Sequence, residues 1–220
     1  MDFILFSIFS SFEIIALFAL TFALFRFEYK FYHVNVIFIS IMLSFVSFSL
    51  RYGFDMDNYA ALIQFLLAIV LFTLMYRQHI FYAAIAMTLS YIMYGLIQVG
   101  LILSLDFFGI IAISDVQREF SVAGKQIQLI SVIAAMVIVY LVKRYNKGFS
   151  FLPHTNRVTL KWTLVNASIL FLIIISTGLI GFATYYFNIS NHSGNYFIIF
   201  LTVISLIYLL YLYRKKDKAL

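Results

Sequence analysis

Seven apolar stretches, over residues 3–25, 34–50, 59–76, 80–105, 126–142, 162–187 and 196–213, occupy nearly the whole chain and are separated by short polar breaks. A helix rises about 1.5 Å per residue, so about 20 residues cross the ~30 Å hydrocarbon core of a bilayer. In hydrocarbon the backbone must satisfy its own hydrogen bonds, and continuous apolar runs of this length do so as helices. A spanning β-barrel needs strands of about ten residues that alternate apolar and polar, and that pattern is missing. The expected fold is all-α, a polytopic membrane protein built as a bundle of seven transmembrane helices in a single domain over residues 1–220. Little chain is left for a soluble catalytic domain.

Composition supports this independently. Hydrophobic residues make up 64% and charged residues 11%, with a mean hydropathy of +1.02, against about 25% charged in soluble domains. The first stretch has no basic residues ahead of it, exceeds the apolar core of a secretory signal and lacks a small-residue cleavage site, so it is expected to be a retained span. The chain has no cysteine, which excludes disulfides, thiolate metal sites and cysteine nucleophiles.

Charge sets the expected orientation. Seven spans put the termini on opposite sides and divide the loops into two sets. One set holds Arg26, Lys30, Arg77, Lys143, Arg144, Lys147, Arg157, Lys161, Arg214, Lys215, Lys216 and Lys218, twelve of the fifteen basic residues. The other holds Arg51, Arg118 and Lys125. The positive-inside rule then places the N-terminus outside and the C-terminus in the cytoplasm. The acids lean the other way, with Asp2, Asp55, Asp57, Asp106, Asp115 and Glu119 outside against Glu28 and Asp217 inside. The formal +6 charge is thus a topological signature facing anionic lipid, and no nucleic-acid partner is expected. Tyr29, Tyr32, Tyr76, Tyr140, Tyr145 and Trp162 fall at the inner boundary, and Tyr52, Tyr59, Tyr185, Tyr186 and Tyr196 at the outer one, where amphipathic rings anchor a span.

Within the spans, Glu13 stands out. It lies near the middle of the first span, where a carboxyl group is costly unless it is paired or protonated. Ala16, Ala19 and Ala23 follow at helical spacing, a small-residue face that admits a neighbouring helix closely. Glu13 at the edge of that face is expected to point into the bundle, either as hydrogen-bonding glue or as a ligand-sensing or ion-coupling group. In the fourth span Tyr91, Tyr94 and Gln98 share one face by their spacings of three and four. They are candidates for ligand contact and equally for hydrogen bonds between helices. Ser40, Ser44 and Ser47 in the second span read as packing residues, whereas Gln64 and Asn166 have no decisive context. After Leu105, Asp106 precedes an apolar piece over 107–113 and a polar stretch over 114–125. Seven residues cannot span, so the piece is expected at the interface or folded over the bundle mouth, with Asp106 and Asp115 as further candidate ligand contacts.

Soluble-enzyme chemistry is not supported. His33, His79, His154 and His192 lie at span ends or in loops without metal-ligand spacing, and the chain has no HExxH, P-loop, GxGxxG or GxSxG pattern. The last span has no lysine for a retinal Schiff base. Two glycosylation-acceptor patterns begin at Asn188 and Asn191 on the outer side, and matter only in a eukaryotic secretory setting. No metal and no cofactor is expected.

The segment from Tyr76 to Ala84 (YRQHIFYAA), with the helix through Tyr91–Gln98 (YIMYGLIQ), resembles the tight turn and following helix of the membrane sensor modules of bacterial GHKL-type histidine kinases, the peptide-quorum receptors among them. The segment from Lys143 to Pro153 (KRYNKGFSFLP) resembles their basic inner loop. In that family the last span continues into a phosphoacceptor helix and an ATPase domain. This sequence ends at Leu220, so no kinase motif transfers and no enzyme activity is expected. The resemblance implies a two-component sensor in a bacterial cytoplasmic membrane that binds an extracellular peptide or small molecule. It passes a helix displacement through an output helix ending at Arg214, Lys215 and Lys216 to a cytoplasmic signalling partner, and a homodimer is compatible with it. The alternative is a small substrate-binding membrane subunit of a transporter. Transporter sites often use broken helices, and Pro153, the one proline, lies in a loop.

Overall fold

The computed structural model describes residues 2–27, 32–116, 121–152, 163–189 and 193–218. The inferences drawn from Glu28, Tyr29, Lys30, Arg118, Glu119, Pro153, His154, Arg157, Lys161, Trp162 and His192 fall outside the described residues, as do those from the side chains of Asp2, Tyr185, Tyr186, Asn188 and Tyr196. The described residues form helices joined by short connections, without a strand. In chain order they form α1 (Asp2–Leu24), α2 (His33–Phe48) continued by a π-helical turn (Ser49–Gly53), α3 (Asp57–Tyr76), α4 (Ile80–Phe107), a single turn α5 (Ile113–Val116), α6 (Val122–Arg144), α7 (Leu164–Ile189) and α8 (Ser193–Asp217). Seven of them are long and apolar enough to cross a membrane. This is the architecture of a multi-pass membrane protein.

Most helix ends follow the sequence within a few residues, and the departures have local causes. Helix α6 begins at Val122 rather than near 126 because Ser121 caps it: its Oγ accepts the Gly124 N–H at 2.9 Å. A side chain at Gly124 would meet that same Oγ at 2.9 Å, so a larger residue there would make the Ser121 hydroxyl shift. The α3–α4 turn is made by Arg77 in the left-handed region (φ 49°) and His79, whose Nδ1 accepts the Phe81 N–H at 3.2 Å. Arg26 and Asn146 end α1 and α6 with similar positive φ. Cationic residues suit such positions, because a helix C-terminus carries partial negative charge.

The interior is uneven along its length. From Ala16 to Phe25 every residue of the α1 segment is buried, and α1 packs on α2, α4 and α6. Helix α4 is similarly enclosed from Phe81 to Ser90 and touches α1, α3, α6, α7 and α8. These stretches run antiparallel at the basic-loop end of the bundle. Phe18, Phe22, Phe25, Phe65, Phe72 and Tyr213 fill the space between them and their neighbours. Towards the other end both helices lose their cover. Phe3, Ile4, Leu5, Ile8 and Phe12 of α1 are exposed, and a side chain added at Gly95 or Gly100 of α4 would meet nothing within 4 Å. Fully buried rings close one end; at the other, Phe3, Phe6, Phe48 and Tyr52 pack on one another but stay partly open.

Small and hydroxyl-bearing residues join the helices laterally. Ala16, Ala19 and Ala23 are all buried on α1. The buried Ser44 hydroxyl of α2 donates to the Ser7 carbonyl of α1 at 3.0 Å. On α7 and α8, Ser176 and Ser205 hydrogen-bond at 2.8 Å with both side chains buried. Asp106 closes the segment after α4: its Oδ1 accepts the Ile113 N–H at 3.1 Å, and Gly109 (φ 68°) makes the turn between them. Phe107, Phe108 and Ile110 around that turn remain exposed.

Candidate functional site

Glu13 sits where the enclosed half of α1 begins. Its carboxyl group is held from two other helices. The Tyr94 hydroxyl and the Gln98 Nε2 of α4 donate to Oε1 at 3.2 and 3.1 Å, and the Gln128 Nε2 of α6 donates to Oε2 at 3.2 Å. Helical spacing explains the α4 pair, because residues four apart lie one above the other on a face. Gln128 is reached because α6 packs closely along α1. Both carboxyl oxygens therefore have donors, which is what a carboxyl group inside an apolar bundle requires.

Other buried polar groups lie on the same two partner helices. Ser131, one turn along α6 from Gln128, is fully buried, and its hydroxyl has no hydrogen-bond partner among the described residues. On α4 the fully buried Thr88 hydroxyl is in the same condition. Arg51, in the π-helical turn after α2, pairs with Asp57 at 3.4 Å. A π-helical turn is rare and often marks functional positions.

The residues singled out from sequence separate into three groups. Glu13, Tyr94 and Gln98 form one cluster. Tyr91 shares their helix but faces α3: its hydroxyl donates to the Ala61 carbonyl at 3.0 Å and its ring packs edge-on against Phe65. Asp106 closes the loop after α4 and Asp115 lies in α5, whereas the donors gathered on Glu13 come from α4 and α6. At the opposite end, Arg214 and Lys215 are exposed, whereas Lys216 is drawn against the rings of Phe81, Tyr82 and Phe151. Gln128 is the member of the cluster that sequence reasoning misses. With α6 expected to start near 126 it falls at the interface, and only the Ser121 cap puts it two turns inside the helix. Among the described residues no three His, Cys, Asp or Glu side chains are grouped to hold a metal ion.

The fold defines the class of protein as an α-helical, multi-pass membrane protein with a hydrogen-bonded carboxyl cluster between three of its helices. No protein-family model, curated protein or solved structure matches the chain.

Proposed function

We propose that the chain is the ligand-sensing membrane module of a signalling system, in a bacterial cytoplasmic membrane with the N-terminus outside. The observation that carries this reading is the Glu13 cluster. One carboxyl group on α1 gathers donors from α4 and α6, close to where the fully buried stretch of the helix begins at Ala16. An external ligand that bonds any of these groups changes how three helices are held together. The outer acids Asp55, Asp57, Asp106 and Asp115 favour a peptide or small molecule carrying positive charge. Such a ligand signals only if it binds two helix arrangements with different affinity.

The output is α8, which continues without a break through Tyr213 to Asp217 and reaches a cytoplasmic partner. The chain itself is not proposed to be an enzyme. Orientation rests on the twelve-to-three division of Lys and Arg. The test is to fuse the C-terminus to a histidine-kinase core and insert four alanines after Tyr213. This rotates the attached core by about 40° and moves it about 6 Å along the axis. A changed kinase output supports the rigid-helix reading. An unchanged output, or equal function with a flexible Gly-Ser linker, defeats it.

The π-helical turn that contains Arg51 at the end of α2 is compatible with a second reading, a substrate-binding subunit of a transporter, because irregular helix backbone lines transport sites. Substrate accumulation in vesicles that is lost in Glu13→Leu, with no effect on a fused kinase, selects it.

A further inference from the structure

The end of α8 is fastened to the rest of the bundle through a short stretch of backbone. Asp217 Oδ1 accepts both the N–H and the hydroxyl of Ser150, at 2.7 and 2.9 Å. Lys216 has its Nζ enclosed, with no hydrogen-bond partner among the described residues. It lies 5.2, 4.8 and 5.0 Å from the ring centroids of Phe81, Tyr82 and Phe151, within the range of cation–π attraction.

The same stretch is fastened to the end of α1. Phe149 N–H donates to the Leu24 carbonyl at 2.6 Å, and Arg26 Nη2 donates to the Asn146 carbonyl at 2.8 Å. Gly148 lies so close that a Cβ there would meet the Ala23 carbonyl oxygen at 2.8 Å and that of Leu24 at 3.0 Å. Between the two attachments Phe25, Phe149, Phe151 and Tyr213 pack as one group, every pair with ring centroids 5.5–6.2 Å apart. The Tyr213 hydroxyl bonds the Ile85 carbonyl of α4 at 3.1 Å. The ends of α1 and α8 meet directly only through Phe25 and Tyr213 among these contacts, and residues 146–152 add the hydrogen bonds and two further rings that join them.

We propose that residues 146–152 form a clamp that ties the end of α1 to the end of α8, so that the two helix ends are held and released together. The reason is shared packing: each of the four rings touches the other three, so freeing one attachment leaves the other without its backing. In the receptor reading this clamp is where the helix bearing Glu13 meets the output helix, and release would present Lys216 and Asp217 to a partner. The clamp does not depend on that reading, and its test uses no ligand.

The experiment is residue-resolved amide hydrogen exchange on the full chain in lipid nanodiscs, which reports local opening. Two variants free the clamp from opposite sides: Asp217→Ala removes the acceptor of Ser150, and Gly148→Ala crowds the Leu24 side. The expected result is propagation. Asp217→Ala speeds exchange at Phe149 at least about ten-fold although Leu24 is untouched, and Gly148→Ala does the same at Ser150 although Asp217 is untouched. The buried α4 amide of Ile92 stays slow in both. Acceleration confined to Ser150 in the first variant, or to Phe149 in the second, overturns the proposal. Should Ile92 also accelerate with alanine, Asp217→Leu keeps the side-chain bulk without an acceptor and is judged by the same two amides.

Discussion

Gln128 and Glu13 stand 115 positions apart in the chain, yet the Gln128 Nε2 donates to the Glu13 Oε2 at 3.2 Å. With Tyr94 and Gln98 on the other oxygen, this contact makes α1, α4 and α6 mutually dependent just beyond the fully buried stretch of α1. Hydrogen bonds between membrane helices average about 0.6 kcal/mol and reach about 1.7. Three on one side chain therefore matter to stability as well as to any ligand.

Glu13→Gln should keep the bundle intact within about 1 kcal/mol, because the amide still presents an oxygen to Gln128 or Gln98. Glu13→Leu leaves three donors facing an apolar side chain and should cost about 2–4 kcal/mol. Thermal unfolding in one detergent, with both variants beside the parent, checks the difference. Two variants equal to the parent would remove Glu13 from any organising role.

Topology is open to direct labelling, because the chain has no native cysteine. A membrane-impermeant thiol reagent on intact cells should modify Ser114→Cys, in the outer connection, and spare Lys147→Cys, on the basic side. The reverse pattern would invert the orientation and move the Glu13 cluster nearer the cytoplasm.

Tyr213 should divide into two contributions. Tyr213→Phe removes the hydrogen bond to Ile85 and should cost about 1 kcal/mol. Tyr213→Ala also empties the ring group around Phe25, Phe149 and Phe151 and should cost about 3–5 kcal/mol. Denaturation of both variants in the same micelles gives the two values. A phenylalanine variant as damaged as the alanine one would mean that the hydroxyl, not the ring, holds this end.

Buried and exposed polar pairs should differ in kind. Ser205→Ala breaks the buried bond to Ser176 and should cost about 0.6–1.7 kcal/mol. Asp57→Asn weakens the exposed pair with Arg51 and should cost under about 1 kcal/mol, an effect that added salt erases. Unfolding at low and high ionic strength distinguishes them, since salt should leave the Ser205→Ala difference unchanged.

What the sequence determined by itself was the number and kind of elements. Apolar runs of membrane-spanning length leave the backbone no alternative but helices, so seven spans follow from hydropathy alone, and the helix periodicity puts Tyr94 and Gln98 on one face. Glu13 was legible for the same reason, since a carboxyl group inside an apolar run must find partners. Which partners it finds is a matter of helix packing, and a uniformly apolar surface says little about which helix lies beside which. The tertiary structure decided that Gln128 belongs to the site and that Tyr91, on the same helix as Tyr94, turns to Ala61 of α3. It also decided that the α8 end is not a free basic tail. The sequence offers Lys216 only as the end of an output helix and Asp217 only as an inner acid, and only the fold brings Phe81, Tyr82 and Phe151 around one and Ser150 to the other. The physical reason is common to all three cases: a single helix fixes which of its residues share a face, while contacts across 30 to 135 positions depend on how several helices pack at once.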